Sequence, residues 1–427
     1  MTVTIVIIAL FVLLAVGIPV ALAMAVSGAI GLYLFGGMTI LAGILKTSPL
    51  SSANSYEIIT IPMFILMAEF VIISGIAEGL FRAAMIWVGR VRGGLAMATA
   101  IAGAGFGAIS GSSTAAAATL SSTSIPAMLS HGYEPKLAGG VVAISGTLAM
   151  LIPPSIALVL FGVIADVSVS KLLIAGIIPG IIIMLTIIAT VVALVAINPK
   201  AAPVGQAYTM REKFASLRGV GPMLVLFAVV TGLIYSGVAT PTEASGIGAF
   251  VAMLLAIRER KLSLMGLWGC LRRAAQTTCM ILFVILGAHI FGYFFALSRV
   301  TNDLISWVGS MDVAPIVVMI VLLIIYLILG AFMDQVAILI LTVPVVLPLV
   351  LSLGFDPVWF GVIVVITAEV GMVTPPMGMN VFVVARYTGR PLSELFRGTF
   401  PHVIAHIFAI ALMTAFPALI LWLPSTM

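Results

Sequence analysis

The chain has 427 residues, 63% of them hydrophobic and only 8% charged, with a mean hydropathy of +1.32. At roughly 20 apolar residues per crossing this is material for at most about 13 helix-sized segments in one polytopic membrane domain, and it leaves no room for a soluble catalytic or nucleotide-binding domain. The net charge of +5 and pI of 9.4 come from basic residues scattered through loops, which reads as positive-inside topology and not as a nucleic-acid surface.

Residues 1–75 are expected to form N-terminal scaffold helices. The chain is apolar from Thr4, with no basic region or small-residue cleavage site, so this reads as a retained span and not a signal peptide. Residues 4–36 give one long or two short helices broken near Gly17-Ile18-Pro19, and a further span covers about 58–75. Residues 76–197 form a first repeat. It opens with an arm at 76–93, whose Glu78, Arg82, Arg90 and Arg92 suit an amphipathic helix in the membrane interface. The segment GAGFGAISGSSTAAAATLSSTSIP at 103–126 is small, glycine-rich and dotted with hydroxyls between apolar flanks. Tight helix packing is one reading. SGSS is too rich in turn formers for a helix interior, however, and a re-entrant hairpin with its tip at 110–113 accounts for it better. Such backbone persists at membrane depth only under a cover of protein or water. A helix broken at Pro153-Pro154 follows.

Residues 198–273 are expected to hold a cytoplasmic loop, scaffold helices and a second arm. Lys200, Arg211, Lys213 and Arg218 form one basic cluster, and Arg258, Arg260, Lys261, Arg272 and Arg273 another. Both should face the cytoplasm, because two apolar segments, 221–237 and 244–257, lie between them and are joined by the Lys/Arg-free loop ATPTE. Residues 274–400 form a second repeat, with a hairpin tip near 330–334 and a helix broken at Pro375-Pro376; 401–427 are a C-terminal helix.

The repeat is explicit. Residues 130–156 and 352–378 align without a gap at an offset of 222, with nine identities that include both double prolines. IWVG at 86–89 recurs as SWVG at 306–309, an offset of 220, which sets Ser110 opposite Gly330 and implies about two extra residues between the second tip and its break. The expected fold class is an all-α polytopic membrane protein with two repeats, inverted by the hairpin pattern. Paired breaks in corresponding halves are the best sequence pointer to a transporter's binding site.

Each proline removes an N–H and strands the carbonyl four residues earlier. The breaks therefore free carbonyls near 149–150 and 371–372. An unpaired carbonyl in hydrocarbon costs several kcal/mol, and Na⁺, held by carbonyl and hydroxyl oxygens, is a fitting occupant. Ser110 and Ser113 offer hydroxyls at the first tip; Gly330 offers an approachable carbonyl and Thr374 a hydroxyl in the second half. Two pseudo-symmetric Na⁺ sites around one substrate site is the economical hypothesis. The bland alternative is a pair of proline kinks satisfied by water or Ser/Thr.

Membrane-depth carboxylates are costly and tend to be functional. Asp334 is placed to add charge to a cation site, Glu369 to tie two helices, and Glu243 to cap the helix after Pro241-Thr242; Glu69 has no evident partner. Asn380 is read as a substrate hydrogen-bonding group, and Ser112, Asp334 and Asn380 together as candidates for coupling or substrate contact. His402 and His406 share a helix face without a neighbouring glutamate, so packing or an interfacial position is expected rather than zinc. Cys270 and Cys279 fit neither a metal site nor a disulfide framework.

SGSSTAAAA, AMLIPPSI, ATPTEAS and GMVTPPMGMN, in this order, resemble the large membrane subunit of the tripartite ATP-independent periplasmic (TRAP) transporters, over essentially the whole chain. The resemblance implies an ion-transporter-like fold in a bacterial inner membrane, working as an elevator in which hairpins and broken helices slide against a scaffold. A membrane enzyme is the weakest alternative, because no Ser/His/Asp arrangement, HExxH or metal-ligand cluster appears in the sequence, and no organic cofactor is expected. The resemblance implies coupling to two or more Na⁺, and as partners a small four-helix membrane subunit, a soluble periplasmic substrate-binding protein and membrane lipid. Carried over by motif, the first Na⁺ site would use Ser110 and Ser113 with backbone around Ala149, Ile152 and Pro154. The second would use Gly330, Gly371, Thr374 and Met377. Ile152 lacks the hydroxyl that Thr374 has, so the first site must draw side-chain oxygens from the serine tip. The implied substrate is a small organic anion: a C4-dicarboxylate, sialic acid, or another carboxylate or sulfonate. No arginine lies at either tip. The alternatives are a Na⁺/organic-anion symporter or antiporter that needs no binding protein and, from another class, a channel or membrane scaffold. A channel needs a continuous polar pathway, whereas here polarity sits at two isolated tips.

Overall fold

The computed structural model describes residues 2–54 and 56–427; the side chains of residues 51–53, Ala77 and Glu78 lie outside that description, and with them the expected contribution of Glu78 to the arm's polar face. Among the described residues every extended element is an α-helix, and the sole β-type pairing is an isolated bridge between Arg92 and Val204. Eight helical stretches among the described residues are long and apolar enough to cross a membrane. A helix satisfies its own backbone groups, which is what a chain of this hydropathy needs in hydrocarbon.

The N-terminal region breaks where expected, between Thr2–Ala15 and Val20–Ala53, at Gly17 with φ 86 and Pro19. The second helix continues well beyond residue 36, with a kink at Gly37 (φ 67). Gly36-Gly37 and Ser48-Pro49 hid that extension in the sequence. Leu264–Ser298 lies along this helix. The approach is close because the contact residues are small: a Cβ added to Gly287 would sit 2.3 Å from the Ala21 carbonyl oxygen, and one on Gly28 2.8 Å from Phe291 Cα. Thr60–Ser74 packs against both Leu264–Ser298 and Pro241–Arg258. The Thr60 and Thr242 hydroxyls are 2.8 Å apart, and Arg273 Nε donates to Glu69 Oε2 at 2.6 Å, which supplies the partner that Glu69 lacked in the sequence.

Three boundaries move. Leu264–Ser298 runs uninterrupted through 273/274, because LRRAAQTTCMILF is continuous helix-forming sequence. The element equivalent to the arm Ile76–Val88 is Val300–Gly309, inside 274–400 and not in 198–273. Leu392–Ala415 likewise continues through 400/401.

Each half then follows one order. In the first, Gly94–Ser110 and Ser113–Ser130 flank a short turn, Pro135–Thr147 leads to the Pro153-Pro154 break, and Ile156–Ala165 follows it. In the second, Pro315–Phe332 and Gln335–Ser352 flank a turn, Pro357–Gly371 leads to the Pro375-Pro376 break, and Met379–Thr388 follows. The halves interdigitate. Ile156–Ala165 packs on the second hairpin's Gln335–Ser352, and Met379–Thr388 packs on the first hairpin's Ser113–Ser130. The helix ends also correct the register at the tip. Ser110 and Phe332 end their helices, and Ser112 and Asp334 cap the next ones, so the offset is already 222 there. The extra residues lie upstream of the second tip, and Ser110 stands opposite Phe332, not Gly330.

Candidate functional site

The first tip is made by Gly111 in the left-handed region (φ 57) and by Ser112, whose hydroxyl accepts from Ala115 N–H and caps Ser113–Ser130. It is pressed onto the first break. A Cβ on Gly111 would stand 2.9 Å from Ile156 Cγ1, one on Gly107 2.7 Å from Ala149 Cα, and one on Gly146 3.0 Å from the Ser113 carbonyl oxygen. Ser110 is 5% exposed, and its hydroxyl has no hydrogen-bond partner among the described residues. The Ile152 side chain points the other way, against Gly180, so that residue can offer the site only its main chain.

The carbonyls freed by Pro153-Pro154 are not equivalent. The Met150 carbonyl accepts from the Ser155 hydroxyl, which in turn caps Ile156–Ala165 by accepting from Leu158 N–H at 3.2 Å. The Ala149 carbonyl keeps the predicted opening. Its i+4 donor is Pro153, which has no N–H, and the Ile152 N–H is bonded to Leu148.

The second tip meets the second break by backbone alone. A Cβ on Gly371 would lie 2.5 Å from Gly330 Cα, and one on Gly330 2.3 Å from the Ala368 carbonyl oxygen. The Ala331 carbonyl accepts from Met377 N–H at 3.3 Å and Gly378 N–H at 3.4 Å, stitching tip to break. Here both freed carbonyls are recaptured, contrary to expectation. Gly371 accepts from Thr374 N–H at 2.9 Å and from its hydroxyl at 2.8 Å, and Met372 accepts from Asn380 N–H at 3.2 Å. A hydroxyl three residues downstream, Thr374, and a chain that turns back at Gly378 (φ 55) supply those donors.

Asp334 does not project a free carboxylate into this region; it caps Gln335–Ser352, accepting from Val336 N–H at 3.0 Å. Asn380 is fully buried, and both sides of its amide face protein, Ser113 on one and the Ala143 carbonyl on the other. Glu369 is 3% exposed, and neither of its oxygens has a hydrogen-bond partner among the described residues, so it ties no helices together. Glu243 forms the expected capping box with Thr240, whose N–H and hydroxyl hold its carboxyl below the usual carboxylate range. His402 and His406 are buried on Leu392–Ala415, with His406 Nδ1 2.8 Å from the His402 carbonyl oxygen. The described residues contain no cluster of three His, Cys, Asp or Glu suited to a metal, and both cysteines are free.

One residue escaped the sequence reading. Arg397 lines a cavity of about 280 Å³ with Thr374, Pro375, Phe396 and Thr399. It lies 21 residues beyond the double proline, and only the return of Leu392–Ala415 over the break brings it there. Two further cavities mark another face. One of about 320 Å³ is lined by Tyr56, Glu57, Asp166, Ser168 and Thr240, and one of about 530 Å³ by Asp166, Lys171, Asp356 and Ser425.

The family described as "Tripartite ATP-independent periplasmic transporter, DctM component" matches residues 7–419. The chain is a TRAP transporter large permease subunit. It is 34% identical over 405 residues to the C4-dicarboxylate TRAP transporter large permease protein DctM of Pseudomonas aeruginosa, covering 93% of each chain. It is 30% identical over 381 residues to the sialic acid TRAP transporter large permease protein SiaM of Vibrio cholerae, covering 88% of each. Its fold is similar to that of the YdaH transporter of Alcanivorax borkumensis, at a TM-score of 0.60 and 13% identity over 92% of this chain and 95% of that one. As a TRAP large permease it is a multi-pass protein of the bacterial inner membrane, working with a small membrane subunit and a periplasmic binding protein.

Proposed function

We propose that this subunit imports a small organic anion, a carboxylate or sulfonate of the C4-dicarboxylate or sialic acid kind, delivered by the periplasmic binding protein and driven by two or more Na⁺. The scaffold would be Val20–Ala53, Thr60–Ser74, Pro241–Arg258 and Leu264–Ser298, with the small four-helix subunit and lipid around it. The two hairpins and two broken helices would move against it as an elevator, related as inverted repeats. One observation carries this reading: in both halves a hairpin tip is seated on a helix break by glycine contacts, at Gly107 on Ala149 and at Gly330 on Gly371.

The first Na⁺ would be held by Ser110 and Ser113 with the main chain of Ala149, Ile152 and Pro154. The second would be held by Gly330, Gly371, Thr374 and Met377, with a cation displacing one of the two hydrogen bonds now made to the Gly371 carbonyl. Ser112 and Asp334 act by capping the helices that point at the sites. Helix N-termini at tips and breaks favour an anion, and Arg397 adds a charge beside the second break. Arg397 lines the cavity at that break, and Arg386 and Arg390 end and follow the helix that leaves it, which would turn this side to the cytoplasm and the cavities at Asp166, Asp356 and Thr240 to the binding protein.

The test is uptake of C4-dicarboxylates and sialic acid into proteoliposomes containing both membrane subunits, with and without a Na⁺ gradient and the binding protein. Uptake should require both. Uptake indifferent to both would sink the proposal; uptake needing Na⁺ alone would favour a symporter independent of a binding protein.

A further inference from the structure

Asn380 follows the second break, yet its bonds reach both halves. Its backbone N–H donates to the Met372 carbonyl at 3.2 Å, next to Gly371 of the second candidate site. Its side chain crosses to the first half. The amide nitrogen lies 3.4 Å from the Ala143 carbonyl oxygen and the amide oxygen 3.4 Å from Ser113 Oγ. The residue is 0% exposed, as is Ser113.

Chemistry decides the orientation of this amide. A backbone carbonyl only accepts, so the NH₂ group must face Ala143 and the amide oxygen must face Ser113. An amide oxygen also only accepts, so the Ser113 hydroxyl is the donor in that contact. Its other neighbour, Met372 Sδ at 3.9 Å, is a weak acceptor and does not compete. With its hydrogen fixed on Asn380, Ser113 turns both lone pairs away from that residue. A hydroxyl can ligate a cation only through a lone pair, and a freely rotating one must first be ordered.

We infer that Asn380 is a positioning residue: it holds Ser113 in its cation-accepting orientation and, through Met372, couples the occupancy of the first Na⁺ site to the geometry of the second break. This rests on the two-site reading of the preceding subsection. Two sites joined by one hydrogen-bonded residue fill cooperatively, because the first ion removes the ordering cost that the second would otherwise bear.

The experiment is a Na⁺ titration of uptake and, separately, of thermal stabilisation of the detergent-solubilised complex, for wild type, Asn380→Ala, Ser113→Ala and the double variant. Asn380→Ala should raise the Na⁺ half-saturation about tenfold and lower the Hill coefficient from near two toward one. The double variant should be no worse than Ser113→Ala, since both remove one interaction. Asn380→Asp keeps an acceptor toward Ser113 and puts toward Ala143 a carboxyl that either is protonated and still donates or is ionised and attracts the cation, so it should retain most of the Na⁺ affinity. Unchanged half-saturation and Hill coefficient in Asn380→Ala overturn the inference, and so do additive effects in the double variant. If Asn380→Ala does not fold, equal losses in Asn380→Asp and Ser113→Ala overturn it. A wild type with no Na⁺ response in either measurement overturns the two-site reading itself.

Discussion

The two helix breaks share a sequence, an offset and a glycine-lined seat for a hairpin tip, yet they stand differently toward their surroundings. The first is closed: Ser155 is 0% exposed, Pro153 and Pro154 are buried, and one carbonyl, at Ala149, is left without its helical donors. The second is open: Pro375 and Pro376 are exposed, Met377 is 49% exposed, and its carbonyls are taken up by Thr374 and Asn380. Tip chemistry differs in parallel, with serine hydroxyls at the first and a capping carboxylate, Asp334, at the second. Duplication preserved the break and the close approach; the groups that fill them diverged.

The contrast can be broken most severely at the seats themselves. Gly371→Ala should cost about 2–3 kcal/mol of stability, because its Cβ would meet two backbone atoms of Pro315–Phe332, Gly330 Cα and the Leu327 carbonyl oxygen, each at 2.5 Å. Gly107→Ala should cost less, since its nearest contact is at 2.7 Å. Thermal melting of the solubilised complex would compare them, and equal losses would erase this distinction between the seats. Next in size are the hydroxyls. Ser110→Ala should raise the Na⁺ half-saturation for uptake about tenfold and Thr374→Ala about threefold, because Thr374 already has a protein acceptor and Ser110 has none. The reverse order would show that the open break holds the tighter ion. A cysteine at Met377 should react with a water-soluble maleimide many times faster than one at Ser155; comparable rates would contradict the open and closed assignment. The smallest effects belong to the caps. Ser112→Ala should destabilise by about 0.5–1 kcal/mol and Asp334→Ala by about 1–2 kcal/mol, read from the same melting curves.

Much of this was legible in the sequence because proline and glycine act locally. A double proline interrupts a helix whatever surrounds it, and SGSS cannot continue one comfortably, so both breaks and the first tip fall where the residues put them. What failed needed long-range information. Glu69 found Arg273 across 204 positions, and nothing near Asn380 in sequence reveals its contacts with Ala143 and Ser113. The freed carbonyls of the second break were miscounted because the donors come from a chain that turns back on itself at Gly378. The boundary at 273 followed a charge cluster, Arg272-Arg273, and charge on a helix does not end it.

The exchange of half-helices has one more consequence. Because Ile156–Ala165 rests on the second hairpin and Met379–Thr388 on the first, each half completes the other's surface. The connecting loop near Lys200 is then a tether and not a clasp. A chain nicked there would leave two fragments that still copurify, and neither fragment alone would contain a whole ion site with its covering wall.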